Sequence, residues 1–146
     1  MATVFDVAKY ILEKQGQMTT MKLQKLVYYS LAWSLVWDEK PLFKETVKAW
    51  ANGPVVPDLY GKHKGMYYVE ARSLGQGDAA KLSESERATI DAVLKHYGDK
   101  SAQYLIDLTH TEPPWREARG PLPPEAQDSP EIALDTIANY YSGLAP

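Results

Sequence analysis

Residues 21–37 hold neither glycine nor proline and follow Thr19 and Thr20, either of which offers a hydroxyl N-cap. The stretch reads as one uninterrupted helix. At about 100° per residue, Lys22, Lys25 and Tyr29 fall on one line that continues through Trp33 and Val36, so the polar stripe stops halfway along. The first two turns can meet water, and the last two are apolar nearly all round. A helix of that kind has to be enclosed, because half-covered it would expose a large apolar patch. Ser30 and Ser34 lie on the side of Leu23 and Val27, where small side chains let a second helix come close. These features predict a mainly α fold: a compact helical domain built around one central buried helix.

The rest of the chain supplies partners for it. Thr3 and Asp6 form a capping-box start, Val4, Val7, Ala8 and Ile11 recur at helical spacing with Leu12 beside them, and Gly16 closes the segment. This first helix is expected to lie against the central one. After the turn at 38–41, Val47 and Ala49 alternate with Thr46, Lys48 and Trp50, which predicts a short strand of about five residues. Its expected partner is the stretch Tyr67, Tyr68, Val69, or the segment around Phe43, giving a small hairpin or short sheet. Pro54 and Pro57 exclude a regular strand between them and make a rigid corner, with Pro57 opening a short helix through Tyr60 towards Lys64. Residues 65–81 read as a loop.

Ser83 with Glu86 is a second capping box, and Ile90, Val93, Leu94 and Tyr97 mark an amphipathic face that ends at Gly98. Ser101 caps a following helix carrying Leu105, Leu108 and Thr109, and the two are expected to form an αα-hairpin. Pro113 and Pro114 end that pattern, residues 115–119 add a helical turn, and residues 120–124 are a proline-rich connector. A last helix is expected to start at Ser129, Pro130 and Glu131 and to pack through Ile132, Leu134, Ile137, Tyr140 and Tyr141.

The 146 residues are expected to form a single domain, large enough to bury roughly 70% of its unfolded surface. A net charge of -3, from 16 basic and 19 acidic residues, gives no electrostatic footprint for a nucleic-acid backbone. The absence of cysteine removes disulfides, thiolate metal sites and a thiol nucleophile together. Asp6 and Lys9 interrupt any signal-peptide core, and no apolar run reaches ~20 residues, so a cytoplasmic protein without a membrane span is expected.

Chemistry-bearing motifs are sparse. His63, His96 and His110 lie far apart, none with a partner at helical ligand spacing, so no metal is expected. Gly75, Gly77 and Ala80 match a dinucleotide fingerprint only formally, since no apolar strand precedes them. Glu84 with Glu86 and Asp107 with Glu112 are carboxylate pairs whose simplest roles are capping and solvation. Lys22 with Lys25, and Lys62, His63 and Lys64, read as wet faces. The aromatics carry more information: four Trp and ten Tyr exceed what one small core readily encloses, and amphipathic rings are favoured at protein interfaces. Trp33 and Trp37 are expected in the core.

The run Met21, Lys22, Leu23, Gln24, Lys25, Leu26, Val27, Tyr28, Tyr29, then Pro41, Leu42, Phe43, then Ala49, Trp50, Gly53, Pro54, Val55, Val56, Pro57 and Tyr60 resembles the Panacea domain family. Its members are also described as SocA-like antitoxins or phage-associated GepA-like proteins. Leu108, Thr109, His110, Pro114, Trp115 and Ala118 resemble the family's second signature, and Tyr140 and Tyr141 its C-terminal end. The similarity runs from about Val4 to Tyr141.

The resemblance implies a non-enzymatic antitoxin of a toxin–antitoxin system, possessing no cofactor and neutralising by direct binding a toxin encoded by the adjacent gene. The family pairs one scaffold with unrelated toxins, and one member instead delivers its toxin to the ClpXP protease. A hydrolase or nucleotide-modifying enzyme is the alternative from another class. DNA-binding autoregulation has no basic domain or helix-turn-helix signature behind it. Within the signatures, Leu23, Leu26, Val27 and Leu31 are expected in the core, Tyr28, Tyr29, Val55 and Val56 are structural, and Gly53 before Pro54 fits a backbone position that tolerates unusual angles. His110 reads as a C-terminal helix residue with the Trp115 ring packed over it. Partner contacts are expected on the rim formed by Trp50, Asn52, Tyr60, His63 and Trp115, where aromatics sit beside an irregular corner.

Overall fold

The computed structural model describes residues 1–126 and 129–144. The stretch between the proline-rich connector and Ser129, at 127–128, and the chain end at 145–146 lie outside the described residues. Seven α-helices are present among the described residues, with two small two-stranded sheets, so the fold is mainly α.

Local chemistry sets the helix boundaries. Helix α1, Val4–Gln15, begins with a complete capping box: the Thr3 hydroxyl accepts from the Asp6 amide, and the Thr3 amide donates to the Asp6 carboxylate at 2.9 Å. Strand β1 is Met18–Thr19, and α2, Thr20–Trp37, follows with Thr19 as its N-cap. Asp38 closes α2, and its carboxylate accepts from the Thr89 hydroxyl at 2.7 Å. The long helix is central, as its sequence requires. It packs on α1, on α4 (Glu84–Tyr97), on α5 (Ala102–Thr111), on α7 (Leu134–Ser142) and on β3 (Gly53–Val55).

One hydrophobic core runs from Ala2 to Tyr141 and includes Leu23, Leu26, Val27, Tyr28, Tyr29 and Leu31. The polar stripe of α2 meets water in its first turn, at Met21 and Lys22, but departs from expectation further along. Lys25 is 1% exposed and Tyr29 fully buried, whereas Trp37, expected in the core, is 48% exposed. Elements distant in sequence cover α2 from Leu23 to Ala32, and Trp37 projects beyond them. Trp33 is partly buried, stacks on Trp37 and donates its Nε1–H to the Tyr97 hydroxyl.

The strands pair differently from expectation. Strand β2 is Lys48–Trp50, and its antiparallel partner is β3, with Ala49 opposite Pro54. Proline is tolerated because the Ala49 N–H is given to the Pro130 carbonyl and the Ala49 carbonyl accepts from Arg119, so the position opposite owes no ladder bond. Strand β4, Tyr68–Val69, pairs with β1 instead. Helix α3, Pro57–His63, starts at the expected proline.

Helices α4 and α5 carry the expected caps, Ser83 with Glu86 and Ser101, yet they do not form the expected hairpin. Helix α5 packs on α2, β3 and α6 (Pro113–Arg119). The last helix starts later than expected, because residues 130–132 are extended along β2, with the Ile132 amide bonded to the Val47 carbonyl. Arg119, buried at the end of α6, fastens this region. Its Nη1 donates to the Ala49 carbonyl at 3.0 Å and the Ser129 hydroxyl at 3.2 Å, and its Nη2 to the Pro123 carbonyl. Among the described residues, no helix is long and apolar enough to cross a membrane.

Candidate functional site

Where α2 begins, the β2–β3 turn, α3 and the segment after α6 meet around an open pocket of about 890 Å³. Helix α2 contributes Thr20, Met21, Gln24 and Lys25; the turn contributes Trp50, Ala51, Asn52 and Val55. Tyr60, His63 and Lys64 come from α3 and its end, and Pro124, Ala126 and Ser129 complete the wall.

Gln24 ties the floor together. Its amide pairs with the Val56 backbone as a strand would, accepting from the Val56 N–H at 2.9 Å and donating to the Val56 carbonyl at 3.3 Å. Its Nε2 also lies 3.0 Å from His63 Nε2. An amide nitrogen only donates, so His63 Nε2 accepts and the ring is neutral with its proton on Nδ1. Burial pushes the His63 pKa down, and the charge of Lys25 adds to the effect. Tyr60 meets His63 edge to face at 5.4 Å, and Trp50 meets Tyr60 in the same way at 5.0 Å.

Lys25 is the unusual component. Its Nζ donates to the Pro54 carbonyl at 3.1 Å, and it forms no ion pair among the described residues. Burial lowers its pKa to about 7. Gly53 makes the room for it: with φ at +108°, a Cβ there would stand 2.7 Å from Lys25 Cε and 2.8 Å from Thr109 Oγ1. Gly53→Ala is therefore expected to destabilise the fold by about 1–3 kcal/mol, read as a lower urea midpoint at unchanged slope.

Four of the five residues expected on the partner rim, Trp50, Asn52, Tyr60 and His63, line this one pocket. The fifth, Trp115, stands behind it. Its Nε1–H donates to the Trp50 carbonyl at 2.7 Å, and its ring stacks on His110 at 4.1 Å. His110 Nε2 is buried without a hydrogen-bond partner among the described residues, and burial lowers that ring's pKa.

Sequence reasoning missed Gln24 and Lys25, the latter read as a wet face. The available signal was a lysine set among Leu23, Leu26 and Val27 in a helix otherwise apolar on that side. It also missed the pocket's apolar margin, where Met66, Tyr67 (68% exposed) and Tyr68 (56% exposed) stand free. This margin adjoins the pocket, because the Thr20 amide bonds to the Tyr67 carbonyl and the Met66 amide to the His63 carbonyl.

The carboxylate pairs do not form an acid–base site. Glu86 caps α4, Asp107 is exposed and accepts from Gln103, and Glu112, expected in a solvated role, is buried. Glu112 Oε1 accepts from the hydroxyls of Tyr29 and Tyr141, both at 2.7 Å. Among the described residues, no three His, Asp or Glu side chains gather as a metal-ligand set.

A family model, described as antitoxin SocA-like, Panacea domain, matches residues 23–116. The chain belongs to the SocA-like Panacea domain family. No curated protein and no solved structure matches it. The matched span of this Panacea domain holds the floor and two walls of the pocket, including Gln24, Lys25, Trp50, Tyr60 and His63. Thr20, Met21, Pro124, Ala126 and Ser129 lie outside it, so part of the pocket's lining is built by sequence beyond the matched signature.

Proposed function

We propose that this Panacea domain is a non-enzymatic antitoxin, a single domain throughout, that neutralises the product of an adjacent gene by direct binding in the cytoplasm. The binding surface is the aromatic pocket lined by Trp50, Asn52, Tyr60 and His63 together with the exposed Met66, Tyr67 and Tyr68, while Trp115 braces the Trp50 backbone. The observation that carries this reading is an open pocket walled by Trp50 and Tyr60, next to a segment whose exposed Met66 and Tyr67 are bonded through their backbone to His63 and Thr20 of the pocket wall. Monomeric proteins rarely leave such rings free without a partner to cover them.

The test is coexpression with the adjacent gene's product, scoring growth rescue and copurification. Trp50→Ala and Tyr60→Ala are each expected to raise the complex's Kd about 30-fold, corresponding to about 2 kcal/mol, with the circular dichroism spectrum unchanged. Unchanged affinity in both variants would remove the surface from the proposal. Rescue without a complex, accompanied by protease-dependent loss of the toxin, would replace neutralisation by binding with delivery to a ClpXP-type protease.

A further inference from the structure

The pocket's polar groups are not a random sample of this chain. Of its described lining residues, Lys25 and Lys64 are cationic and none is acidic, although acidic residues outnumber basic ones, 19 to 16, in the whole sequence. Lys25 is enclosed by protein, yet an ammonium carries three donors and only one, to the Pro54 carbonyl, has a protein acceptor among the described residues. A methionine would fill similar space without the cost of desolvating a charge. Gly53 leaves that space open, since any Cβ at that position would strike the lysine stem.

We infer that the pocket receives a single carboxylate carried on an apolar or aromatic body, with Lys25 as its counter-ion. Lys64 is exposed at the end of α3 and keeps its charge in water, so inside the pocket one buried ammonium neutralises one unit of charge, and a carboxylate is matched where a phosphate dianion would leave a charge uncompensated in a desolvated site. The volume exceeds what a carboxylate alone would occupy, and Met21, Trp50, Val55, Tyr60 and Pro124 supply apolar walls for the body that carries it. His63, held neutral by Gln24, lies against the Tyr60 ring and supplies no second charge.

The carboxylate can belong to an acidic side chain of the toxin or to a free small molecule, and sodium benzoate serves as the probe for both. With the isolated protein at pH 7.5, benzoate is expected to raise Tm while the isosteric neutral benzamide does not. Lys25→Met, and Lys25→Gln, which keeps a donor for Pro54, are expected to fold and to bind benzoate at least tenfold more weakly. In wild type, the ¹³Cε resonance of Lys25 should move towards its protonated position as benzoate is added. Equal stabilisation by benzamide, an undiminished benzoate response in both variants, or a stationary Lys25 resonance would each overturn the inference.

A second arm rests on the antitoxin reading, whereas the first does not. In the copurified complex, toxin release by benzoate identifies the toxin's side chain as the natural occupant. Benzoate binding without release identifies a free carboxylate ligand.

Discussion

Glu112→Leu is expected to cost about 2–6 kcal/mol and to lower Tm by ~5–20 °C, as read by thermal and urea denaturation. Glu112 is 6% exposed at the junction of α5 and α6 and accepts hydrogen bonds from the hydroxyls of Tyr29 on α2 and Tyr141 on α7. Leucine fills comparable space but leaves the Tyr29 donor unanswered and the Tyr141 hydroxyl with only the longer bond to Tyr28, at up to about 1–3 kcal/mol each. The damage spreads because the hydroxyls of Tyr141 and Tyr28 are themselves bonded at 3.2 Å and Tyr29 stacks on Tyr97 at 4.2 Å. Glu112→Gln is the informative control. It retains the accepting oxygen and should stay close to wild type. Burial raises the Glu112 pKa, although the two tyrosyl hydrogen bonds oppose that shift. The site's contribution is thus complete below the ordinary carboxylate pKa and declines as pH rises through the raised value, whereas the Gln variant lacks that dependence. A leucine variant that melts with wild type would show that the network does not hold the fold.

The second large effect concerns Lys25 and its titration. In the unfolded chain the amine titrates at its ordinary value of 10.5, and in the folded protein at about 7. Between these values the unfolded state binds the extra proton, so stability rises with pH. At about 1.4 kcal/mol per unit, the wild-type chain should gain about 2–3 kcal/mol relative to Lys25→Met between pH 7 and pH 9. Lys25→Met should be the more stable chain at pH 7, with the difference shrinking as pH rises. Above pH 10 the tyrosines enter with the opposite sign, Tyr10 being pushed up to about 12 by burial and by Asp91. His63 and His110, both lowered by burial, act in a separate window: their contribution is present above about 6.5 and is lost as pH falls through their folded values. A constant stability difference between the two chains from pH 7 to pH 9 would mean that Lys25 titrates normally.

The features that sequence revealed are those decided within a few residues. The Thr3–Asp6 and Ser83–Glu86 boxes, the Ser101 cap and Pro57 at a helix start depend only on neighbours, and the structure holds all of them. Trp50, Asn52, Tyr60 and His63 could be grouped for the same reason, since one short corner carries all four. Burial of Lys25 could not be read in this way, because its cover comes from β3 and Thr109, between 28 and 84 residues further along. The pairing of β2 was illegible on similar grounds. A proline looks forbidden in a strand until one knows that Ala49 spends its hydrogen bonds on Pro130 and Arg119. Exposure of Trp37 depends on where the neighbouring helices stop, which no periodicity in α2 encodes.

Arg119 also makes the pocket modular. Its guanidinium grips the chain at Pro123 and at Ser129, while the floor under Gln24 and Lys25 is fixed by separate bonds to Pro54 and Val56. At Pro124 and Ala126, which line the opening between the two grips, side chains can be exchanged like fitted inserts in a rigid frame. Bulk or charge at Pro124 or Ala126 would re-cut the opening and change which guest is admitted, with no core residue obliged to move.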